Sequence, residues 1–219
     1  MASTEELKQL AAQLAHPRGD IGKDISRMME QTNGNMTEQA IQSLSLQAGQ
    51  RVLELGHGNA GHVSALLHAH PRLQYFGLDV SETMQQEAVR KNKDGVKNKS
   101  ASFHIYDGRQ IPFQEPTFDA IFLVNTIYFV QDPASLIHDL ALILRPAGKL
   151  AITFAERTFM ERLPFTAYGF NLYEEAELRH LADYELLEYC DSHHGKEQVT
   201  SKAGDRVERH FTTLVWTRK

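Results

Sequence analysis

The sequence predicts an α/β chain built on a doubly wound, seven-stranded, mostly parallel sheet whose last two strands form an antiparallel pair. Three observations carry this expectation. From Arg51 onward, short β-branched and apolar runs alternate with amphipathic stretches at helical spacing, the signature of successive βα units. The final two strand-like runs are joined by a polar stretch instead of a helix, so they are expected to pair antiparallel. Composition agrees: 42% hydrophobic and 23% charged residues over 219 positions describe an ordinary globular chain and exclude collagen-like or disordered classes.

The elements follow in order. Residues 1–48 read as an N-terminal helical lid or extension, and residues 49–219 as the main domain. Glu5 to Ala15 places Leu7, Leu10, Ala11 and Leu14 on one helical face. The stretch His16 to Gly22, with Pro17 and Gly19, breaks that pattern. Asn35 with Glu38 three residues on resembles a capping box and predicts a helix start there, running through Leu46. Strands are expected at Arg51–Leu55, Gln74–Leu78, Ser102–Tyr106, Ala120–Val124 and Lys149–Phe154, each apolar and bounded by turn residues. Helices fill the gaps at Gly61–His70, Glu82–Lys91, Pro133–Leu144 and Glu174–Leu181. Asp132 is a natural N-cap, and Pro133 suits the first helical position. Leu186–Ser192 and Phe211–Thr217 are the terminal strands, with Gly195 to Glu208 as the polar loop between them.

Charge and cysteine usage narrow the function. With 23 Lys+Arg against 28 Asp+Glu, the net charge of -5 supplies no basic footprint for nucleic acid, so a small-molecule partner is expected. Cys190 is the single cysteine, and the opening MASTEELKQL lacks the basic and apolar regions of a signal peptide. The most apolar stretch, Ala120 to Val130, is far shorter than the roughly 20 residues a bilayer requires. A cytoplasmic location is the expectation. The histidines His57, His62, His68, His70, His193 and His194 lack metal-ligand spacing, so no metal site is expected.

The informative segment is Val52-Leu-Glu-Leu-Gly-His-Gly-Asn-Ala-Gly61, a strand running into G-x-G-x-x-G at a helix start. Glycines permit a tight turn and close backbone approach, while the helix N-terminus offers unpaired N–H groups. Asp79, at the end of the second strand, stands where an acid can hold ribose hydroxyls. Glu54 interrupts an apolar run, and a buried carboxylate is costly unless a cation pairs with it. A dinucleotide pyrophosphate would be repelled, whereas S-adenosylmethionine brings an ammonium and a sulfonium. Glu54 therefore favours S-adenosylmethionine, or else it pairs with a basic neighbour such as Arg51.

On these residues the chain resembles a class I S-adenosylmethionine-dependent methyltransferase of the small-molecule, type 11-like kind. The further matching segments are Gly77-Leu-Asp-Val-Ser-Glu-Thr-Met84, Asp107-Gly108 with Ile111-Pro112-Phe113, Phe118-Asp119-Ala120-Ile121, and Leu144-Arg-Pro-Ala-Gly-Lys-Leu150. The resemblance implies a Rossmann-like fold. It implies that Gly56 and Gly58 approach the methionine part of the cofactor, that Asp79 binds the ribose, and that Val80 and Met84 pack on the adenine. Asp107 would accept the adenine amino group with Gly108 leaving room for the ring, and Asn125 would border the transferred methyl. His57 departs from the residue usual at its position, which makes the loop's electrostatics pH dependent in this reading.

Methyl transfer needs an aligned nucleophile and exclusion of water; a base is required only for some acceptors. Candidates beyond the strand ends are Asn125, Tyr128, Glu156 and Arg157, with His16 and Tyr168 from mobile parts. Tyr128 and Phe129 either wall a pocket or pack beneath the next helix. The apolar segment Thr158 to Leu172 either caps the pocket, which hints at an apolar or aromatic acceptor, or packs in a homodimer interface. Two other functions stay open: a non-catalytic S-adenosylmethionine-binding protein of the same fold, and an NAD(P)-dependent oxidoreductase.

Overall fold

The computed structural model describes residues 2–200 and 206–219. Strands β1 (Arg51–Leu55), β2 (Gln74–Asp79), β3 (Ala101–Ile105), β4 (Phe118–Val124), β5 (Leu144–Ala155), β6 (Leu187–Thr200) and β7 (Arg206–Arg218) form one seven-stranded sheet. Its order is β3-β2-β1-β4-β5-β7-β6. The first five strands are parallel, and β7 lies antiparallel to both β5 and β6. The chain winds outward from β1 in both directions, so the strand order reverses between β1 and β4. Ligands bind beyond the carboxyl ends of strands at such a switch point.

The sheet is covered by helices α1 (Thr4–Ala15), α2 (Gly19–Leu44), α3 (Val63–Ala69), α4 (Glu82–Lys91), α5 (Lys93–Lys97), α6 (Pro133–Ile143), α7 (Arg157–Met160) and α8 (Glu175–His180). Side chains alternate across the strands and feed two apolar cores. Leu53 and Leu55 join Phe118, Phe154 and Trp216 on one face, while Val52 joins Tyr75 and Phe122 on the other. Each such side chain contributes about 1.5–3 kcal/mol relative to exposure. Glu54 shares the face of Val52, which decides its neighbours. As expected, Asp132 caps α6 by accepting the Ser135 N–H at 3.0 Å, with Pro133 in the first turn.

Two expectations are corrected. No helix starts at Asn35: α2 runs unbroken from Gly19 to Leu44, taking Asp20, Ile21 and Gly22 into the helix as well. The low helix propensity of Asn33, Gly34 and Asn35 costs about 0.7–1 kcal/mol per residue, but tertiary contacts outweigh it. Asn33 Oδ1 accepts from Arg209, Asn35 Nδ2 donates to Glu197 Oε2 at 2.7 Å, and Met36 is fully buried. The second correction is the tail. Gly195 to Thr200 and Arg206 to Glu208 are strand, because opposite charges face each other across the hairpin, Lys196 with Glu208 at 2.9 Å and Glu197 with Arg209 at 2.6 Å. The rest of the expected loop, residues 201–205, lies outside the described residues.

The N-terminal segment is built into the same body. α2 packs against β4, β5 and β7 and contributes Met36, Ala40 and Leu44 to the cores. Its turn is tied to the start of α4: Ser81 Oγ donates to Pro17 O, and the Gly19 N–H donates to Thr83 Oγ1 at 3.1 Å. Among the described residues no helix is long and apolar enough to cross a membrane.

Candidate functional site

A cavity of about 1050 Å³ opens at the carboxyl ends of β1 to β5. Its floor is the loop after β1. Gly56 has φ +78° and Gly58 has φ +54°, both in the left-handed region. A Cβ on Gly56 would collide with the Thr126 side chain, whose hydroxyl donates to Leu55 O at 3.1 Å. Glycine there is a requirement of backbone shape and close approach.

Asp79 closes the loop from the neighbouring strand. Its Oδ2 accepts the Gly58 N–H and its Oδ1 the Ser81 N–H, each at 2.9 Å. Each oxygen keeps a further acceptor position for a ligand. Burial raises the Asp79 pKa, an effect opposed by His57 and by the two backbone N–H groups. Asp107, after β3, accepts the Arg109 and Gln110 N–H groups on Oδ1 at 2.8 Å, and these bonds hold its pKa low. Val80, Met84 and Gly108 complete this end.

Glu54 is buried and does not pair with Arg51, whose guanidinium stacks on Phe76 at 4.8 Å. Glu54 Oε2 instead accepts from His62 Nε2 at 2.8 Å and from the Tyr75 hydroxyl. Burial works against a charged His62, but Glu54 outweighs it and the His62 pKa rises. His57 behaves oppositely. Wedged against Gly77 and Phe103, it donates Nδ1–H to Gly58 O at 2.7 Å, and burial lowers its pKa. Burial thus favours the neutral form of His57, whereas Glu54 favours the charged form of His62.

Asn125 ends β4 with φ +55°. Its Oδ1 accepts the Ala155 N–H at 3.2 Å, which fixes the amide orientation, and Nδ2 points to Met36 Sδ at 3.3 Å. The Tyr128 hydroxyl lies 2.8 Å from Ala155 O and 3.0 Å from Asn125 Oδ1, where it can only donate. Burial pushes its pKa far up, so the hydroxyl stays protonated. Phe129 packs edge-on to Phe170 at 4.7 Å. Phe159, Met160, Leu163 and Phe165 wall the cavity as well, so the apolar segment faces inward over the site.

Every expected cofactor residue lines this cavity, from Glu54, Gly56, His57 and Gly58 to Asp79, Val80, Met84, Asp107, Gly108 and Asn125, together with Tyr128 and His16. Three candidate bases lie elsewhere. Arg157 is taken up by Glu177 Oε2 at 2.5 Å, Glu156 accepts from Thr212 Oγ1 at 3.0 Å, and Tyr168 lies beneath Lys8. Sequence reasoning missed three contributors: Glu30, Asn59 and Arg209. Asn59 Nδ2 donates to Glu30 Oε2 at 2.9 Å, and Lys91 meets the same oxygen at 2.6 Å, which joins α2 to the loop and to α4. Only Asn59 could have been suspected, as the polar member of the glycine motif.

Fold and cavity together define a Rossmann-like α/β protein with a ligand crevice at its topological switch point. Residues 53–152 match the family model of the methyltransferase domain. Curated relatives agree: the O-methyltransferase resE of Aspergillus sclerotiorum is 27% identical over 57% of this chain and 47% of its own length. The methyltransferase GfsG of Streptomyces halstedii is 30% identical over 53% of this chain and 42% of its own. The match to the methyltransferase domain covers a little under half of the chain, and the curated relatives it resembles are named as methyltransferases. It spans about half the length of the curated relatives it matches. A solved chain from the complex of the Haloferax volcanii Trm112 methyltransferase activator with a methyltransferase shares the fold, with a TM-score of 0.71 and 18% identity over 98% of this chain and 99% of that one.

Proposed function

We propose that the protein transfers a methyl group from S-adenosylmethionine to a small, largely apolar acceptor. The observation that carries this reading is the charge of the cavity. Five carboxylates line it, Glu30, Glu38, Glu54, Asp79 and Asp107, against one Arg or Lys among the described residues. Such a site attracts a cationic sulfonium and amine and repels a pyrophosphate, which argues against a nicotinamide dinucleotide.

The residues fit this cofactor. Asp79 has acceptor capacity for ribose hydroxyls, Asp107 Oδ2 is available to an adenine amino group, and Val80 and Met84 offer an apolar wall. Glu54 Oε1 has no protein partner among the described residues, so it can face the ammonium. When bound, the cofactor supplies an electrophilic methyl whose sulfur leaves neutral. This chain's part is to align and desolvate. Asn125 borders the methyl position, Tyr128 locks the Asn125 amide, and the aromatic segment excludes water. Tyr128 is thereby a positioning residue. His16 stands on the cavity wall with Nδ1 3.4 Å from Arg18 Nη2, and burial and Arg18 lower its pKa. Helices α1 and the first half of α2 serve as the lid.

Calorimetric titration with S-adenosylmethionine, S-adenosylhomocysteine and NADH tests this. Micromolar binding of both sulfur ligands without NADH binding is expected; NADH preference would overturn the reading. Mass-spectrometric detection of methylated product from an apolar acceptor library then separates an enzyme from a non-catalytic binder.

A further inference from the structure

We propose that Arg209 is the specificity-determining anchor of the acceptor site, selecting an apolar, ring-bearing molecule with a single phenol- or ketone-type oxygen over one carrying a phosphate. The word acceptor rests on the methyltransferase reading, whereas the ligand chemistry rests on the cavity alone.

Arg209 lies on β7 two residues before Phe211, the register partner of Ala155, which puts it at the carboxyl end of β5. It lines the cavity and is only 6% exposed. Among the described lining residues it is the sole Arg or Lys. Nε and Nη2 donate to Glu197 Oε1 at 3.0 and 2.6 Å, Nη2 also donates to Thr32 O, and Nη1 donates to Asn33 Oδ1 at 3.2 Å. A guanidinium has five N–H bonds. Four are used, so one on Nη1 remains without a partner among the described residues.

That arrangement discriminates by charge and by count. Glu197 is as buried as Arg209, so the pair is neutral in place, and Asn35 holds the other Glu197 oxygen. A phosphate or carboxylate is best recognised by an unpaired, bidentate fork, and here the fork is occupied. It would also have to enter among five carboxylates. A single neutral oxygen requires only the one spare N–H. Phe129, Phe170, Met160 and Leu163 supply the apolar surround for a ring. Ala155, at the end of β5 beside Arg209, bonds both Asn125 and Tyr128, so the anchor belongs to the methyl-bordering end of the cavity.

The test is ligand-observed NMR titration of the full chain with 2-naphthol, 2-methylnaphthalene and 2-naphthyl phosphate, with S-adenosylhomocysteine binding measured separately. We expect 2-naphthol to bind at least about fivefold tighter than either analogue, the worth of one hydrogen bond. R209M and the charge-balanced R209M/E197Q should erase the preference, and E197Q, which removes the partner's negative charge, should raise affinity for the phosphate. The proposal is overturned if the wild type binds 2-naphthol and 2-methylnaphthalene equally, binds the phosphate tightest, or binds none of the probes. It is also overturned if R209M/E197Q keeps the preference. Should R209M not fold, the wild-type series still decides. Probe selectivity without S-adenosylhomocysteine binding would uphold the anchor and sink the donor reading; the reverse pattern would do the opposite.

Discussion

Asp79 accepts the Gly58 N–H at 2.9 Å, so the end of β2 holds the glycine loop after β1 in its ligand-facing shape. Asp79→Ala removes that bond and the one from Ser81, at about 1 kcal/mol each. It also removes a carboxylate whose burial raises its own pKa, a cost that offsets part of the loss. We therefore expect affinity for S-adenosylhomocysteine to fall at least about tenfold by calorimetry, a loss of ~1.4 kcal/mol. Melting temperature should shift by no more than about 4–8 °C. Unchanged affinity would remove Asp79 from the cofactor site.

Tyr128→Phe separates positioning from proton transfer. The variant loses the single O–H that lies between Ala155 O and Asn125 Oδ1, so stability should drop by about 1 kcal/mol in urea unfolding and turnover should fall as Asn125 loosens. Because burial keeps the hydroxyl protonated, the pH profile of kcat/KM should keep its shape. Loss of a limb of that profile would make Tyr128 a base after all.

His62 and Glu54 predict a pH-dependent stability. A quarter of the His62 side chain is exposed, and its pKa in the fold is raised. The charged pair therefore stabilises fully below the unfolded value of about 6.5 and loses its effect as pH rises through the folded value. Urea unfolding of wild type and His62→Gln should show a larger gap at pH 6 than at pH 9. A gap independent of pH would mean that the pair is held by neutral hydrogen bonds.

The strands, the glycine loop and Asp79 were legible because each is written in a few consecutive residues: a period-two apolar run, a turn glycine, an acid at a strand end; Asp107 came in through the resemblance alone. The partners of Glu54 were not, since His62 and Tyr75 reach it from the following helix and the adjacent strand, and Arg51, the sequence neighbour, points to the other face. The same reason hid the continuity of α2. Asn35 read locally as the start of a helix, yet it and Asn33 lie inside one and are anchored by Glu197 and Arg209 from the far end of the chain. Glu197 in turn read as loop and Arg209 fell between that loop and the last strand, because charged strands are recognisable only once their cross-strand partner is known. Asp119 and Arg145, from two of the segments that resemble the family, proved to pair with each other at 2.8 Å near the amino ends of their strands, a structural bridge away from the site.

Gly22 tests whether the N-terminal helices act as a lid. The turn before α2 folds so tightly that a Cβ on Gly22 would lie 2.7 Å from the Pro17 carbonyl carbon, and backbone atoms cannot yield as a side chain would. Pro17 in turn accepts from Ser81 and, with His16, lines the cavity. Gly22→Ala should therefore shift the turn off α4 while leaving the sheet intact, since Met36, Ala40 and Leu44 anchor the other half of α2. Two outcomes are expected together: faster proteolysis near residues 16–22, and faster release of S-adenosylhomocysteine in stopped-flow measurements. Faster proteolysis with an unchanged release rate would show that the segment covers the cavity without gating it.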